Sequence, residues 1–310
     1  MGKSILDLEF SRLAVGTVQF GLPYGVANRT GQPSFNEVCE ILACAVEHGA
    51  TTLDTAAAYG ESESVLGRAL RAIGALDRVT IVSKVRHLKT MGQEHTPGNI
   101  EGWIRDSVVS SLERLGIDSL PVCLFHDTVD VAHMDTLFAL KREGLVQHVG
   151  VSVIKPDQME MVLSTPGVEA IQVPMNMLDQ RIQRSGDLVR AADAGMAVFV
   201  RSIYLQGLLV MPLDEIKPAL HQVLPVRQAL QDIAAGAGLT MPEMALRYGL
   251  SLPGATSVLT GVETVEQMEA NANLAARGPL SPEIVEAIDR AVPDLADTIV
   301  LSPWLWPAAM

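Results

Sequence analysis

Four ionisable side chains of different types stand at or near the ends of apolar, strand-like runs. Asp54, Lys84 and His126 each end such a run, and Tyr59 follows Asp54 by five residues, in a short loop before a helical pattern. A carboxylate, an ammonium, an imidazole and a phenol, if brought together, form the kind of set that moves protons between a protein and a substrate. The sequence therefore predicts a proton-transfer site.

The lysine and the aspartate are expected to pair. A lysine at the end of an apolar strand is costly to bury unless its charge is compensated. Asp54 ends the preceding strand, and neighbouring parallel strands lie about 4.8 Å apart. An ammonium held beside Tyr59 favours the phenolate, so the tyrosine pKa is expected to fall below its usual value of about 10. Tyr59 is thus a candidate general acid or base, and His126 is a candidate to hold the oxygen that receives the proton.

Eight apolar strand-like runs alternate with helical patterns along the chain. The predicted strands are Leu13–Thr17, Thr51–Asp54, Val79–Lys84, Pro121–His126, Val146–Ser152, Val168–Val173, Met196–Ser202 and Thr256–Thr260. The predicted helices between and after them are Phe35–His48, Ser62–Ala72, Ile100–Leu115, Met134–Arg142, Asp157–Leu163, Ile182–Ala194 and Thr264–Ala275. Strands joined by helices form a parallel sheet, and because the helices cover both faces of such a sheet, its strands are apolar throughout. The pattern therefore predicts a parallel sheet.

Eight such strands fit a closed (β/α)8 TIM barrel, in which the active site lies at the carboxyl ends of the strands. An open doubly wound sheet is disfavoured, because no G-x-G-x-x-G follows the first strand. We therefore predict one barrel domain over residues 1–310.

One connection is much longer than the others. It runs from Tyr204 to Ala255, between the seventh and eighth strands, with extra helical patterns at Val226–Ala237 and Pro242–Leu250. An enlarged loop at this end of a barrel is expected to form a lid or a cofactor clamp. The C-terminal tail carries Trp304 and Trp306, and it is expected either to pack on the outside of the barrel or to fold over the pocket mouth.

Composition limits the partners. The 310 residues carry a formal net charge of −13, and 48% of them are hydrophobic. An acidic surface repels phosphate backbones, so nucleic acid is not expected as a partner. No apolar run approaches the length of a membrane span or of a signal-peptide core, and the three cysteines have no metal-ligand spacing. We expect a soluble, cytoplasmic protein without a membrane or metal partner, and the sequence leaves the oligomeric state open.

The residues at the strand ends resemble a known family. The motif Asp-Thr-Ala-x-x-Tyr-Gly from Asp54 to Gly60, followed by a strand-terminal lysine and then a histidine, is similar to the aldo-keto reductase superfamily. Further matches cover nearly the whole chain: Gly16-Thr17 with Gln19-Phe20-Gly21, Gly150-Val151-Ser152, Gln172–Asn176, Ser202 with Gly207, and Gly261–Asn271. The variants Thr-x-Gln-Phe-Gly, Phe-His-Asp, Gly-Val-Ser-Val and Leu-Gln-Gly resemble a bacterial branch associated with sugar and polysaccharide metabolism.

The resemblance implies an NAD(P)-dependent oxidoreductase that reduces the carbonyl group of a sugar, a small aldehyde or a ketone. It implies catalytic roles for Asp54, Lys84 and His126, with Tyr59 as the group that protonates the carbonyl oxygen. The implied cofactor contacts are Gly16, Thr17, Ser152, Gln172, Arg201, Ser202, Leu205, Gln206, Gly207, Gly261, Val262, Gln267 and Asn271. Gln19 and Phe20 are implied as substrate contacts, with packing against the first helix as the open alternative.

Three positions depart from the family pattern. Val153 stands where many members have an asparagine after the serine of strand five. Arg201 stands where many members stack an aromatic ring on the nicotinamide, although a planar guanidinium can also stack. The loop from 260 to 267 has no basic residue, and Glu263 would repel a 2′-phosphate. A preference for NAD(H) over NADP(H) is therefore expected.

Two alternatives stay open. The same site could oxidise a sugar at its anomeric carbon, as a sugar 1-dehydrogenase does. The chain could also be a cofactor-sensing binding subunit, like the potassium-channel β subunits that share this fold. A metal-dependent hydrolase is disfavoured, because too few His and Asp ligands stand at strand ends. The other six histidines are expected to lie away from the strand ends, solvated or structural: His48, His87, His95, His133, His148 and His221.

Overall fold

Eight parallel strands close into a barrel. In the computed structural model, which describes residues 2–25, 28, 31–91, 96–293 and 299–306, the barrel strands are β1 Leu13–Gly16, β2 Thr52–Asp54, β3 Thr80–Lys84, β4 Leu120–Phe125, β5 Val146–Ser152, β6 Ala170–Pro174, β7 Ala197–Arg201 and β8 Ser257–Gly261. They pair in chain order, and β8 pairs with β1 to close the ring. The predicted (β/α)8 barrel is confirmed, and each predicted strand overlaps an observed one.

Helices surround the barrel. Their bounds are α1 Phe35–Glu47, α2 Ser62–Ala72, α3 Pro97–Leu115, α4 Met134–Arg142, α5 Met159–Leu163, α6 Arg181–Arg184, α7 Asp187–Asp193, α8 Leu224–Gly236, α9 Met241–Ser251, α10 Val265–Ala276 and α11 Pro282–Ala291. Ser34 caps α1 in a reciprocal capping box with Glu37, and Thr264 caps α10, as the sequence pattern encodes. The predicted single helix from 182 to 194 is wrong: it divides into α6 and α7 at Gly186, whose φ of 78° is left-handed.

A two-stranded hairpin of Lys3–Ile5 and Leu8–Phe10 precedes the barrel and has no counterpart among the predicted elements. Phe10 is fully buried and meets Phe199 of β7 edge to face, with 5.2 Å between ring centroids. Both rings belong to an apolar cluster of side chains from β1, β3, β4, β6, β7 and β8. These buried side chains make the barrel interior below the strand ends filled and apolar, and burial of each Val, Leu or Phe among them contributes roughly 1.5–3 kcal/mol.

The long connection between β7 and β8 holds α8, α9 and several single turns. The C-terminal tail packs against it, since the turn Ile299–Leu301 contacts the turn Pro218–Val223. Val300, Leu301 and Trp306 are buried in the main core. The Trp304 side chain lies outside the described part of the structure. No helix among the described residues is long and apolar enough to cross a membrane.

Candidate active site

A buried ion pair joins the ends of β2 and β3. Lys84 Nζ donates to Asp54 Oδ1 at 2.7 Å and to the carbonyl oxygen of Thr55 at 2.9 Å. Lys84 is 1% exposed and Asp54 is 5% exposed, so neither charge is balanced by bulk water. Gln172, from β6 on the far side of the ring, donates its Nε2 to the same carboxylate oxygen at 2.6 Å. Three strands are thus tied together at one carboxylate.

Tyr59 and His126 complete the set at the same end of the barrel. Lys84 Nζ lies 5.1 Å from the centroid of the Tyr59 ring. The Tyr59 ring meets the His126 ring edge to face, with centroids 5.6 Å apart and planes at 79°. The structure therefore brings the four residues at the predicted strand ends into one cluster, because the carboxyl ends of β2, β3 and β4 point to the same face.

Two glycines fix the loop that carries Tyr59. A Cβ atom on Gly21 would lie 1.9 Å from the carbonyl oxygen of Tyr59. A Cβ atom on Gly60 would lie 2.5 Å from the carbonyl oxygen of Gly21, and Gly60 has a left-handed φ of 57°. The loop after β1 and the loop after β2 therefore pack backbone against backbone, which only glycine permits at these two positions.

The pKa of Tyr59 is raised, because burial outweighs the opposing effects of Lys84 and Arg201. The expected lowering of the tyrosine pKa is therefore wrong in its net direction, although Lys84 does act in the expected sense. Burial, followed by the charges of Lys84, His87, Arg201 and Lys89, lowers the pKa of His126 to about 2. Near neutral pH the site holds a protonated phenol beside a neutral imidazole.

His87 lies at this site, contrary to the expectation that it would be remote from the strand ends. Its ring stacks on His126 with centroids 4.1 Å apart and planes at 20°. The sequence signal was its position three residues after Lys84, on the loop that follows β3. Of the other histidines, His148 pairs with Glu169 at 3.1 Å and His221 contacts the carbonyl oxygen of Ile216 at 2.9 Å, whereas His95 lies outside the described residues.

The loop after β7 has an unusual backbone. Ser202, Leu205 and Gln206 have φ values of 65°, 47° and 53°, and only five non-glycine residues in the described part of the chain have positive φ. Each such residue costs about 1–3 kcal/mol, and strain of this kind concentrates at ligand-binding sites. The implied cofactor contacts Ser202, Leu205, Gln206 and Gly207 therefore share one strained loop.

Side-chain bonds connect this loop to its neighbours. Arg201 donates Nη2 to the carbonyl oxygen of Val153 at 3.1 Å, so it bridges the ends of β7 and β5. Tyr204 Oη donates to Asn271 Oδ1 of α10 at 2.9 Å. Gln206 Nε2 donates to Tyr24 Oη at 2.9 Å.

Unpartnered polar atoms surround the mouth. Oε1 of Gln172, Oγ1 of Thr260 and Oε1 of Gln19 are buried without a hydrogen-bond partner among the described residues. Buried polar atoms are normally satisfied, and these three stand on β6, β8 and the turn after β1. A dinucleotide, whose amide and hydroxyl groups both donate and accept, fits such a set.

The remaining implied cofactor contacts differ in the hydrogen bonds that their side chains make within the protein. Thr17 is fully buried and hydrogen-bonds to the carbonyl oxygen of Asp54 and to Ser62. Gln267 accepts from the backbone N–H of Glu263 at 2.8 Å. Three more implied contacts lie on or next to barrel strands. Gly16 lies opposite Asp54 and Gly261 on the neighbouring strands, and Ser152 lies opposite Gln172. Val262, directly after β8, is fully buried.

The two implied substrate contacts are placed differently. Phe20 has no exposed surface and lies in the main core, which is the packing alternative, so its side chain cannot touch a substrate in this structure. Gln19 is 8% exposed and lies against Gly261, where a Cβ atom would come within 2.5 Å of Gln19 Nε2.

The chain is similar to known proteins over most of its length. A model described as the Aldo/keto reductase family matches residues 12–293. An uncharacterized oxidoreductase, YqkF, of Bacillus subtilis is 26% identical over 91% of this chain and 92% of its own length. An NADH-specific methylglyoxal reductase of Escherichia coli is 25% identical over 92% of this chain and 97% of its own length.

A solved structure shares the fold. The holo form of an aldo-keto reductase from Bacillus halodurans superposes with a TM-score of 0.77 at 24% identity, covering 94% of this chain and 96% of that one.

Proposed function

The chain belongs to the aldo/keto reductase family and is an NAD(P)H-dependent oxidoreductase, and we propose that it reduces the carbonyl group of a sugar or a small aldehyde or ketone with Tyr59 as the general acid. The observation that carries the proposal is the cluster of Tyr59, His126 and the buried Lys84–Asp54 pair at the carboxyl ends of three neighbouring strands. When bound, the nicotinamide supplies the hydride.

Tyr59 holds the proton that the substrate oxygen takes up. Burial raises the pKa of the phenol, so the acid form is present throughout the neutral range. As the proton leaves, negative charge develops on the phenol oxygen, and the ammonium of Lys84, 5.1 Å from the ring centroid, stabilises it. Asp54 keeps that ammonium in place. The raised pKa favours reduction, which needs a proton donor, over sugar oxidation, which needs a base.

His126 orients the carbonyl oxygen as a neutral donor. Its pKa is lowered to about 2, so the imidazole carries one proton at any working pH and donates a single hydrogen bond. A neutral donor leaves the proton transfer itself to Tyr59, because His126 has no second proton to give.

Several residues would hold the cofactor. Arg201 provides a planar cation at the end of β7, and Gln172 provides an unpartnered buried acceptor on β6. The strained loop from Ser202 to Gly207 suits a clamp. We propose NADH as the preferred form, because residues 260–276 include no lysine or arginine and Glu263 would repel a 2′-phosphate. The NADH-specific relative in Escherichia coli supports this preference.

A spectrophotometric screen tests the proposal. The protein is mixed with NADH or NADPH and with small aldehydes, ketones and aldoses, and the reverse reaction is followed with NAD⁺, NADP⁺ and sugars. We expect oxidation of NADH by at least one carbonyl substrate class. Tight dinucleotide binding without turnover on any substrate would instead identify a cofactor-sensing subunit, and turnover only in the oxidative direction would identify a sugar dehydrogenase.

A further inference from the structure

Two imidazole rings lie together at the substrate end of the barrel. His126 follows β4 and His87 lies on the loop after β3, and their rings are nearly parallel at 20° with centroids 4.1 Å apart. The proton-transfer scheme above uses only His126. The ring of His87 therefore has no role in that scheme, although it stacks directly on the ring of His126.

Each ring has one nitrogen left for a ligand. Nδ1 of His87 and Nδ1 of His126 are both buried and have no hydrogen-bond partner among the described residues. Both side chains are half-buried, so Nε2 is the ring nitrogen left to bond an incoming molecule. A proton on a buried Nδ1 without an acceptor would be an unsatisfied donor. The neutral ring in each case therefore carries its proton on Nε2.

The groups around His87 keep it neutral rather than cationic. Burial and the charge of Lys89 lower the pKa of His87, and Asp127 acts in the opposite sense. The charges of Lys84 and Arg201 also lower the pKa of His126, the ring that stacks on His87. The site thus presents two stacked neutral rings, each with one N–H donor, and the donor of His126 is assigned to the reacting carbonyl oxygen.

We propose that His87 is a specificity-determining residue, whose Nε2–H donates to an oxygen on the carbon next to the reacting carbonyl. The preferred substrates are then α-hydroxy or α-oxo carbonyl compounds, which carry oxygens on adjacent carbons. This inference rests on the proposed function, because it takes His126 and Tyr59 as the groups that meet the reacting oxygen. A simple aldehyde has one oxygen and leaves the donor of His87 unpaired.

A substitution that keeps the ring and removes its nitrogens separates recognition from stacking. His87→Phe retains an aromatic partner for His126 but has no donor. Glycolaldehyde and acetaldehyde are a matched pair of probes, because they differ only in the hydroxyl group on the second carbon. His48→Phe is the control, since His48 is exposed at the end of α1, which leads into the amino-terminal end of β2.

In the starting protein, kcat/KM for glycolaldehyde is expected to exceed that for acetaldehyde. In His87→Phe, kcat/KM for glycolaldehyde should fall roughly fivefold to tenfold, the range expected for one neutral hydrogen bond, whereas that for acetaldehyde should change less than about twofold. His48→Phe should alter neither value. An equal loss on both substrates would mean that His87 only holds the ring of His126, and no loss on either would mean that it does not act; each result overturns the inference while leaving the reductase activity in place. Absence of NADH or NADPH oxidation with every carbonyl compound would overturn the proposed function itself.

Discussion

Replacing Asp54 with asparagine tests whether the charge pair at the ends of β2 and β3 is a coupled unit. The carboxylate accepts from Lys84 at 2.7 Å and from Gln172 at 2.6 Å. In the variant the lysine side chain, with 0% exposure, keeps its ammonium in a site without a counter-charge. Loss of one partner of a buried pair typically costs about 3–5 kcal/mol. We expect the lower end, about 3 kcal/mol, because the carbonyl oxygen of Thr55 still accepts from Lys84.

A second substitution isolates the electrostatic part. Lys84→Met alone strands the Asp54 carboxylate and should also cost about 3 kcal/mol, but Asp54→Asn with Lys84→Met removes both charges and keeps an acceptor for Gln172. The double variant is therefore expected within about 1–2 kcal/mol of the starting protein. The control is Glu143→Gln, which breaks an ion pair with Arg105 whose side chains are 45% and 44% exposed, and it should cost less than about 1 kcal/mol.

Urea unfolding followed by circular dichroism gives the free energy of unfolding of each variant. The sum of the stability losses in the two single variants should exceed the stability loss in the double variant by about 3 kcal/mol or more. Single losses that add to the double loss within about 0.5 kcal/mol, as independent sites do, would refute the argument that Asp54 and Lys84 stabilise the site by compensating each other.

Three further predictions address the acid, the cofactor and a buried carboxyl group. Tyr59→Phe should lower kcat for carbonyl reduction by at least roughly 10²-fold, the scale of general-acid catalysis, whereas Tyr248→Phe, which removes a hydroxyl bonded to Gln183 and Asp289, should lower only the melting temperature; an unchanged kcat in Tyr59→Phe would exclude it as the acid. Glu263→Lys should raise kcat/KM for NADPH relative to NADH by roughly tenfold, worth about 1.4 kcal/mol, and an unchanged ratio would contradict the placement of the 2′-phosphate at this loop. Burial raises the pKa of Asp130 to about 6, so the folded state keeps a proton that the unfolded state releases near pH 4. The stability contributed by this group should therefore fall between about pH 4 and pH 6, by about 2–3 kcal/mol. Asp130→Asn lacks this loss, so its advantage in unfolding free energy should grow over that range and then level off; a constant difference would contradict the raised pKa.

The sequence was sufficient for the barrel and for the convergence of the four ionisable residues. Alternating apolar strands and helices allow few parallel topologies, and in a closed barrel every strand delivers its last residue to the same end. Asp54, Lys84 and His126 therefore had to meet once the strands were recognised. Tyr59 lies close to them because the loop after β2 is short.

Features that depend on how deeply a side chain is buried, and on contacts between loops, were decided by the tertiary structure. The sign of the Tyr59 pKa shift is set by how much water the packed loops exclude, and no spacing of charges along the chain records that quantity. Phe20 lies in the core rather than in the pocket because the turn after β1 rotates it inward. His87 stacks on His126 because the loops after β3 and β4 fold against each other. The types of reactive group follow from the chain order of the strands, whereas their protonation states and the second imidazole follow only from packing.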